Sequence, residues 1–203
     1  MRLFFDFEFT GLHRGTTPIS LGIVADNFYF FYAEFTDYDR EQIEKEKDGG
    51  KFIKENVLAN LVLAEQELGE NDFALFKKYN KPAFMKVRGT KDFISEKLKE
   101  WIDGLDSDHI EMWGDCLHYD WILFLDLFGY SAFDLPKKIF YIPFDICTLF
   151  KAKGIDPDIC REEFAKELLS CFTKQDGSKM STKHNALHDA DVIMYSYQTL
   201  MQS

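Results

Sequence analysis

Asp6 and Glu8 stand two residues apart in Leu3–Phe9, a run that reads as a β-strand, so both carboxylates point to one face. Leu3, Phe5, Phe7 and Phe9 take the other face and are all apolar, which predicts a central strand. Two carboxylates about 4 Å apart repel by roughly 4 kcal/mol at an effective dielectric near 20. Either one holds a proton, or a cation sits between them, or both lie at a strand end facing water. The cation would be a hard divalent one, which prefers carboxylate oxygen.

Asp120 closes the stretch Trp113-Gly114-Asp115-Cys116-Leu117-His118-Tyr119-Asp120, which follows a strand and opens a helix. Asp there also suits a plain N-cap. Asp115 is the alternative acid. Asp126 is a poor one, because six residues on it points about 240° round the helix from Asp120. His184 and Asp189, in His184-Asn185-Ala186-Leu187-His188-Asp189-Ala190, are separated by an offset that misaligns them on one regular helix. The spacing predicts His184 on the entering loop and Asp189 in the first helical turn, where the helix dipole favours an anion. A lone His at such a place also fits a surface or capping role. His188 and Asp191 are expected at the surface or in support.

Several elements must position these groups. Ile19–Ala25 and Phe28–Phe35 read as two strands joined by the turn Asp26-Asn27. Asp37–Leu68 is polar and helix-prone, broken at Gly49-Gly50. Thr90–Leu105 shows helical periodicity in Phe93, Ile94, Leu98, Trp101 and Ile102. His109–Trp113 reads as a strand, Tyr119–Phe128 as a helix, Ile139–Pro143 as a fifth strand, and Ile146–Ala152 and Ala186–Met201 as helices. Hairpin-like strands followed by strand–helix alternation predict an α/β domain with a mixed sheet of about five strands flanked by helices. One domain over 1–203 is expected, with a helical insertion around 37–105.

The chain has 203 residues, 46% hydrophobic and 29% charged, enough for a full core. Its formal net charge of −11 excludes a generic, charge-driven nucleic-acid coat protein. It does not exclude an enzyme that grips a strand end through metal ions. Cys116, Cys147, Cys160 and Cys171 form no C-x-x-C pair, so a structural zinc is not expected, and reduced core thiols of a cytoplasmic protein are. The N-terminus does not read as a signal peptide, and no apolar run has the length of a membrane span. One basic island stands out: Lys77, Lys78, Lys81, Lys86, Arg88 and Lys91, interleaved with Phe76, Tyr79 and Phe84. It suits base stacking and phosphate contact, or is a solvated loop beside a helix. Lys174, Lys179 and Lys183 precede His184 and are within reach of a phosphate in the same reading.

Asp6-x-Glu8-x-Thr10-Gly11-Leu12, Tyr119-Asp120 and His184-Asn185-Ala186-Leu187-x-Asp189-Ala190 occur in that order. Together they resemble the three motifs of DnaQ-like (DEDDh) 3′–5′ exonucleases, closest to short stand-alone exoribonuclease-like members. Cys116 departs from the pattern, since many relatives carry Asn there. The resemblance implies an RNase H-like fold and two Mg²⁺ or Mn²⁺ ions held by Asp6, Glu8, Asp120 and Asp189, about 3.5–4 Å apart. It implies His184 as general base on the attacking water. It places Thr10, Gly11 and Leu12 against the terminal nucleotide. The implied substrate is the 3′ end of single-stranded RNA or DNA, RNA favoured, with nucleoside 5′-monophosphates as products and a homodimer as the assembly.

Two rival readings stand beside it. Asp6-x-Glu8-x-Thr10 with Gly114-Asp115-x4-Asp120 also resembles haloacid-dehalogenase-like phosphohydrolases, in which Asp6 would be a covalent nucleophile. That family has Asp where Glu8 stands, and it leaves His184 and Asp189 without a role. The other rival is a non-catalytic nucleic-acid-binding module.

Overall fold

The computed structural model describes residues 1–45, 47–79, 81–172 and 183–202. Lys174 and Lys179 lie outside them. Among the described residues, a mixed sheet of seven strands runs in the order β4-β5-β3-β2-β1-β6-β7. The strands are β1 Arg2–Phe9, β2 Pro18–Ala25, β3 Phe30–Phe35, β4 Asp72–Lys78, β5 Lys81–Gly89, β6 Glu111–Gly114 and β7 Phe144–Asp145. β1–β2, β2–β3 and β4–β5 are antiparallel; β3–β5, β1–β6 and β6–β7 are parallel. The main helices are α1 Arg40–Lys45, α2 Lys47–Phe52, α3 Lys91–Gly104, α4 Asp120–Asp126, α5 Ile146–Ala152, α6 Arg161–Phe164, α7 Lys166–Phe172 and α8 Ala186–Gln202.

The period-two pattern of β1 divides two cores. Leu3, Phe5 and Phe7 join Leu21, Ile23, Phe31, Met85 and Val87 beneath α3 and α4, with Trp101 and Phe124 fully buried there. Each such side chain contributes roughly 1.5–3 kcal/mol on burial. Phe4 and Val24 turn the other way, under α5 and α8. Asp6 and Glu8 share that second face, so they point into the layer where α8 begins. β1 is central, flanked by β2 and β6.

Three expectations need correction. The segment 37–105 is not a helical insertion throughout: after α2 it makes a π-helical turn, Ile53–Val57, and a 3₁₀ turn, Leu58–Asn60, and then the β4–β5 hairpin. The sheet therefore has seven strands rather than five, and the basic island lies on a hairpin rather than a loop. Ile139–Pro143 makes only a single bridge, Ile139 to Ile110; the strand proper is Phe144–Asp145. Three of the four thiols are not core groups: Cys116 and Cys160 are exposed and Cys147 is half-buried, while the side chain of Cys171 lies outside what the structure describes. Among the described residues, no helix is long and apolar enough to cross a membrane.

Candidate metal centre

Three chain segments, β1, the start of α4 and the start of α8, bring Asp6, Glu8, Asp120, His184 and Asp189 into one cleft of about 790 Å³. Each is placed by a separate local device. β6 pairs with β1 only as far as Phe4–Trp113, so the backbone beyond is free on that side. Asp120 fills the gap: its Oδ1 accepts the Phe7 N–H at 2.9 Å. Asp120 is the first residue of α4, with Tyr119 in the cap position, and its carboxylate reaches across to β1.

α8 begins with Asn185 as its cap. Asn185 Oδ1 accepts the Leu187 and His188 N–H groups at 3.1 and 3.4 Å, satisfying two of the helix's free donors. Its Nδ2 donates to Tyr32 Oη and to the Asn60 carbonyl, both at 3.1 Å. Tyr32 Oη in turn donates to Glu34 Oε1 at 3.0 Å, and that oxygen also accepts the Val62 and Leu63 N–H groups. This buried chain ties the start of α8 to β3 and to the 58–63 segment. His184 precedes the cap in the left-handed region, φ +66°, a region His visits more readily than most residues. Its N–H donates to Asp189 Oδ2 at 3.0 Å, which locks Asp189 toward the cleft.

Gly22 completes the geometry. It sits opposite Asp6 in the β1–β2 ladder. A Cβ at Gly22 would lie 2.2 Å from the Ala186 carbonyl oxygen. Only glycine lets the first residue of α8 rest on the sheet there.

One oxygen each of Glu8 and Asp189 and a ring nitrogen of His184 lie within 4.8 Å of one another. His184 Nδ1 is 4.0 Å from Glu8 Oε1, beyond hydrogen-bond reach, and the ring stands edge-on to Phe52 at 4.9 Å. Burial, then the charges of Asp120, Asp189 and Glu8, hold the Asp6 carboxyl well above the usual carboxylate range. Burial, together with the charge of Asp189 and a hydrogen bond to it, pushes Glu8 up to about 8. Burial raises Asp120 to about 6 against the opposing pull of the Phe7 N–H. Asp189 is raised by burial, with His188 and His184 partly offsetting it. Of the cations lining the cleft among the described residues, Arg161 is bound to Asp115, Nε to Oδ2 at 2.9 Å, leaving Lys183 at the rim. Acids crowded without a matching cation are a donor set of the kind that takes hard divalent ions.

The remaining candidates divide. Gly11 and Leu12 line the cleft, and Leu12 is 77% exposed. Thr10 does not: it is fully buried, its hydroxyl engaged with Gln42, Thr16 and Thr17, so it builds the turn rather than touching the cleft. Asp126 is taken by Lys91 at 3.1 Å. Asp115 lines the cleft but belongs to a neighbouring knot with Arg161, Cys147 and Asp145. Cys116, in the left-handed region at φ +57°, approaches His118 Nδ1 at 3.4 Å. His188 and Asp191 are not surface groups. His188 pairs with Glu162 at 3.2 Å, and burial raises Asp191 to about 7.

Sequence reasoning missed Gly22, Asn185, Arg161 and Phe52. Asn185 carried a signal, since Asn before an apolar helix start is a capping pattern; the others act only through contacts distant in the chain. Compared with known proteins, the chain matches no family model and no curated protein.

Proposed function

We propose that this chain is a metal-dependent 3′–5′ exonuclease of the DnaQ-like (DEDDh) kind with an RNase H-like fold, acting on single-stranded nucleic acid, RNA favoured. The observation that carries the reading is the convergence of Asp6, Glu8, Asp120, Asp189 and His184 in one cleft from three separate segments. Their carboxyl pKa values are raised chiefly by burial, with repulsion from the neighbouring acids added at Asp6 and Glu8, and bound cations would offset both. Asp6, Glu8, Asp120 and Asp189 would hold two Mg²⁺ or Mn²⁺ ions. When bound, such ions would neutralise the scissile phosphate and acidify an attacking water.

The chain's own residues do the rest. His184, 30% exposed on its side chain, faces the cleft beside Glu8 and takes the proton of the attacking water. The Phe52 ring edge limits how that imidazole can turn. Leu12 and Gly11 form the wall against which a terminal nucleoside packs, and Thr10 holds that turn from behind. The phosphohydrolase alternative, with Asp6 as nucleophile, gives no task to Asp189 or His184, which this cleft brings onto Glu8.

The test is Mg²⁺-dependent shortening of 5′-labelled RNA and DNA, read as a product ladder with release of nucleoside 5′-monophosphates. Asp6→Ala is expected to abolish it. Undiminished activity of that variant, or a trapped phospho-Asp6 in the wild type, rejects the reading.

A further inference from the structure

We infer that the β4–β5 hairpin is a docking platform for the body of a single-stranded polynucleotide whose 3′ end occupies the cleft. This rests on the proposed exonuclease reading for the cleft, but its own observations lie elsewhere in the fold. β4 is the edge strand of the sheet, and all seven of its residues are exposed. On the face shared with Asp6, the rings of Phe30, Phe84 and Phe76 stack in a row across β3, β5 and β4, with centroids 4.8 and 5.5 Å apart. The row begins in the α8 core and ends at Phe76, which is 59% exposed. A base laid on Phe76 would continue a stack the protein has already begun.

Charge points to the same occupant. The chain carries −11, yet between Asp72 and Asp92 it holds six basic residues and no acid. Lys91 is committed to Asp126 and Lys86 to Gln66, but Lys77 and Lys78 stand exposed beside Phe76. A second copy of this chain would be a poor occupant, because β4 ends in the exposed lysines Lys77 and Lys78, and lysine on an edge strand is the usual guard against strand addition. Strand registers place Tyr32, Lys86 and Ala74 in the same row as Asp6 and Gly22, and Arg88 in that of Glu8. At about 4.8 Å per strand, β4 lies roughly 19 Å from β1. A dinucleotide in the cleft cannot reach the platform, whereas a longer strand can.

The experiment measures affinity and hydrolysis separately. Binding of a 5′-fluorescent oligouridylate of about twenty nucleotides is followed by anisotropy in EDTA, where the carboxylate cluster contributes no metal-mediated contact. Phe76→Ala with Tyr79→Ala is expected to weaken it about tenfold or more. Lys77→Glu with Lys78→Glu, which leaves every ring in place, is expected to weaken it too and to flatten the salt dependence by about 1.4 in log–log slope, roughly 0.7 per lost phosphate contact. With Mg²⁺, both variants should raise KM for the long strand and leave dinucleotide hydrolysis at the wild-type rate. If the wild type binds through the hairpin but cleaves nothing, the exonuclease reading fails and the platform stands. Wild-type affinity in both variants overturns the platform. So does a change from dimer to monomer with affinity unchanged.

Discussion

Asp6 and Gly22 face one another across the β1–β2 ladder, and the missing side chain of Gly22 is what admits the first residue of α8 beside that carboxylate. A strand acid and a helix acid, Asp6 and Asp189, thereby share one small space although they lie far apart in the chain. The site depends on a hydrogen atom where any other residue would place carbon.

Gly22→Ala is accordingly expected to act on the site and the fold together. The new methyl meets backbone, which cannot rotate away, so α8 must lift. Overpacking of this kind costs typically about 1–3 kcal/mol. Thermal unfolding should show a lowered Tm, and Mn²⁺ titration a weakened affinity, because Asp189 moves with α8. A wild-type Tm and affinity in this variant would mean that α8 is not seated as described.

The metal-free protein should lose stability as pH rises. Glu8 titrates near 8 and Asp120 near 6 in the fold, against ordinary values of 4.5 and 3.8. Between the ordinary and the raised values, the folded protein holds protons that the unfolded chain has released, so the slope of unfolding free energy with pH is negative. The stabilisation is full below about pH 4 and gone above about pH 8. In EDTA, Tm should fall across that window. With Mg²⁺ or Mn²⁺ the fall should shrink, because the ions bind the ionised carboxylates. A metal-free Tm that climbs from pH 5 to 8 would contradict the crowding of these acids.

Asn185→Ala should destabilise the protein by about 1–2 kcal/mol or more, since it removes a helix cap and the two Nδ2 bonds to Tyr32 and the Asn60 carbonyl. Asn185→Asp keeps the cap but places a carboxylate near Glu34 in a buried network, so it should rescue stability poorly. Chemical denaturation of the two variants against wild type checks both statements. Equal stability of Asn185→Asp and wild type would show that the Nδ2 bonds contribute little.

The strongest period in the chain is also the most readable. β1 alternates apolar and acidic residues from Phe5 to Phe9, so the pairing of Asp6 with Glu8 on one face follows from strand geometry alone, and Asn185 offered a capping signal for the start of α8. What cannot be read is contact across the fold. Gly22 is one more small residue in a strand until α8 is laid on it, and the Phe7 N–H that holds Asp120 is free only because β6 stops early. The β4–β5 hairpin gives half a signal. Ala83, Met85 and Val87 alternate as a buried strand should, but β4 buries none of its residues and so carries no burial pattern of its own. β7, at two residues, is below the length at which periodicity exists.

His184 offers the sharpest separation between chemistry and architecture. Its side chain makes no hydrogen bond to the fold among the described contacts; its ring only stands against Phe52 and near Glu8. Its backbone N–H does the structural work, holding Asp189, and every substitution except proline keeps that bond. His184→Ala should therefore leave metal binding close to wild type, and Tm nearly so, while kcat falls about 10²–10⁴-fold. Glycine at the same position would relax the left-handed backbone and is expected to match alanine in rate but exceed it in stability. If the alanine variant loses metal affinity in step with rate, the imidazole is a ligand beside Glu8 and Asp189 rather than a base. If neither changes, the catalytic water is activated elsewhere in the cleft.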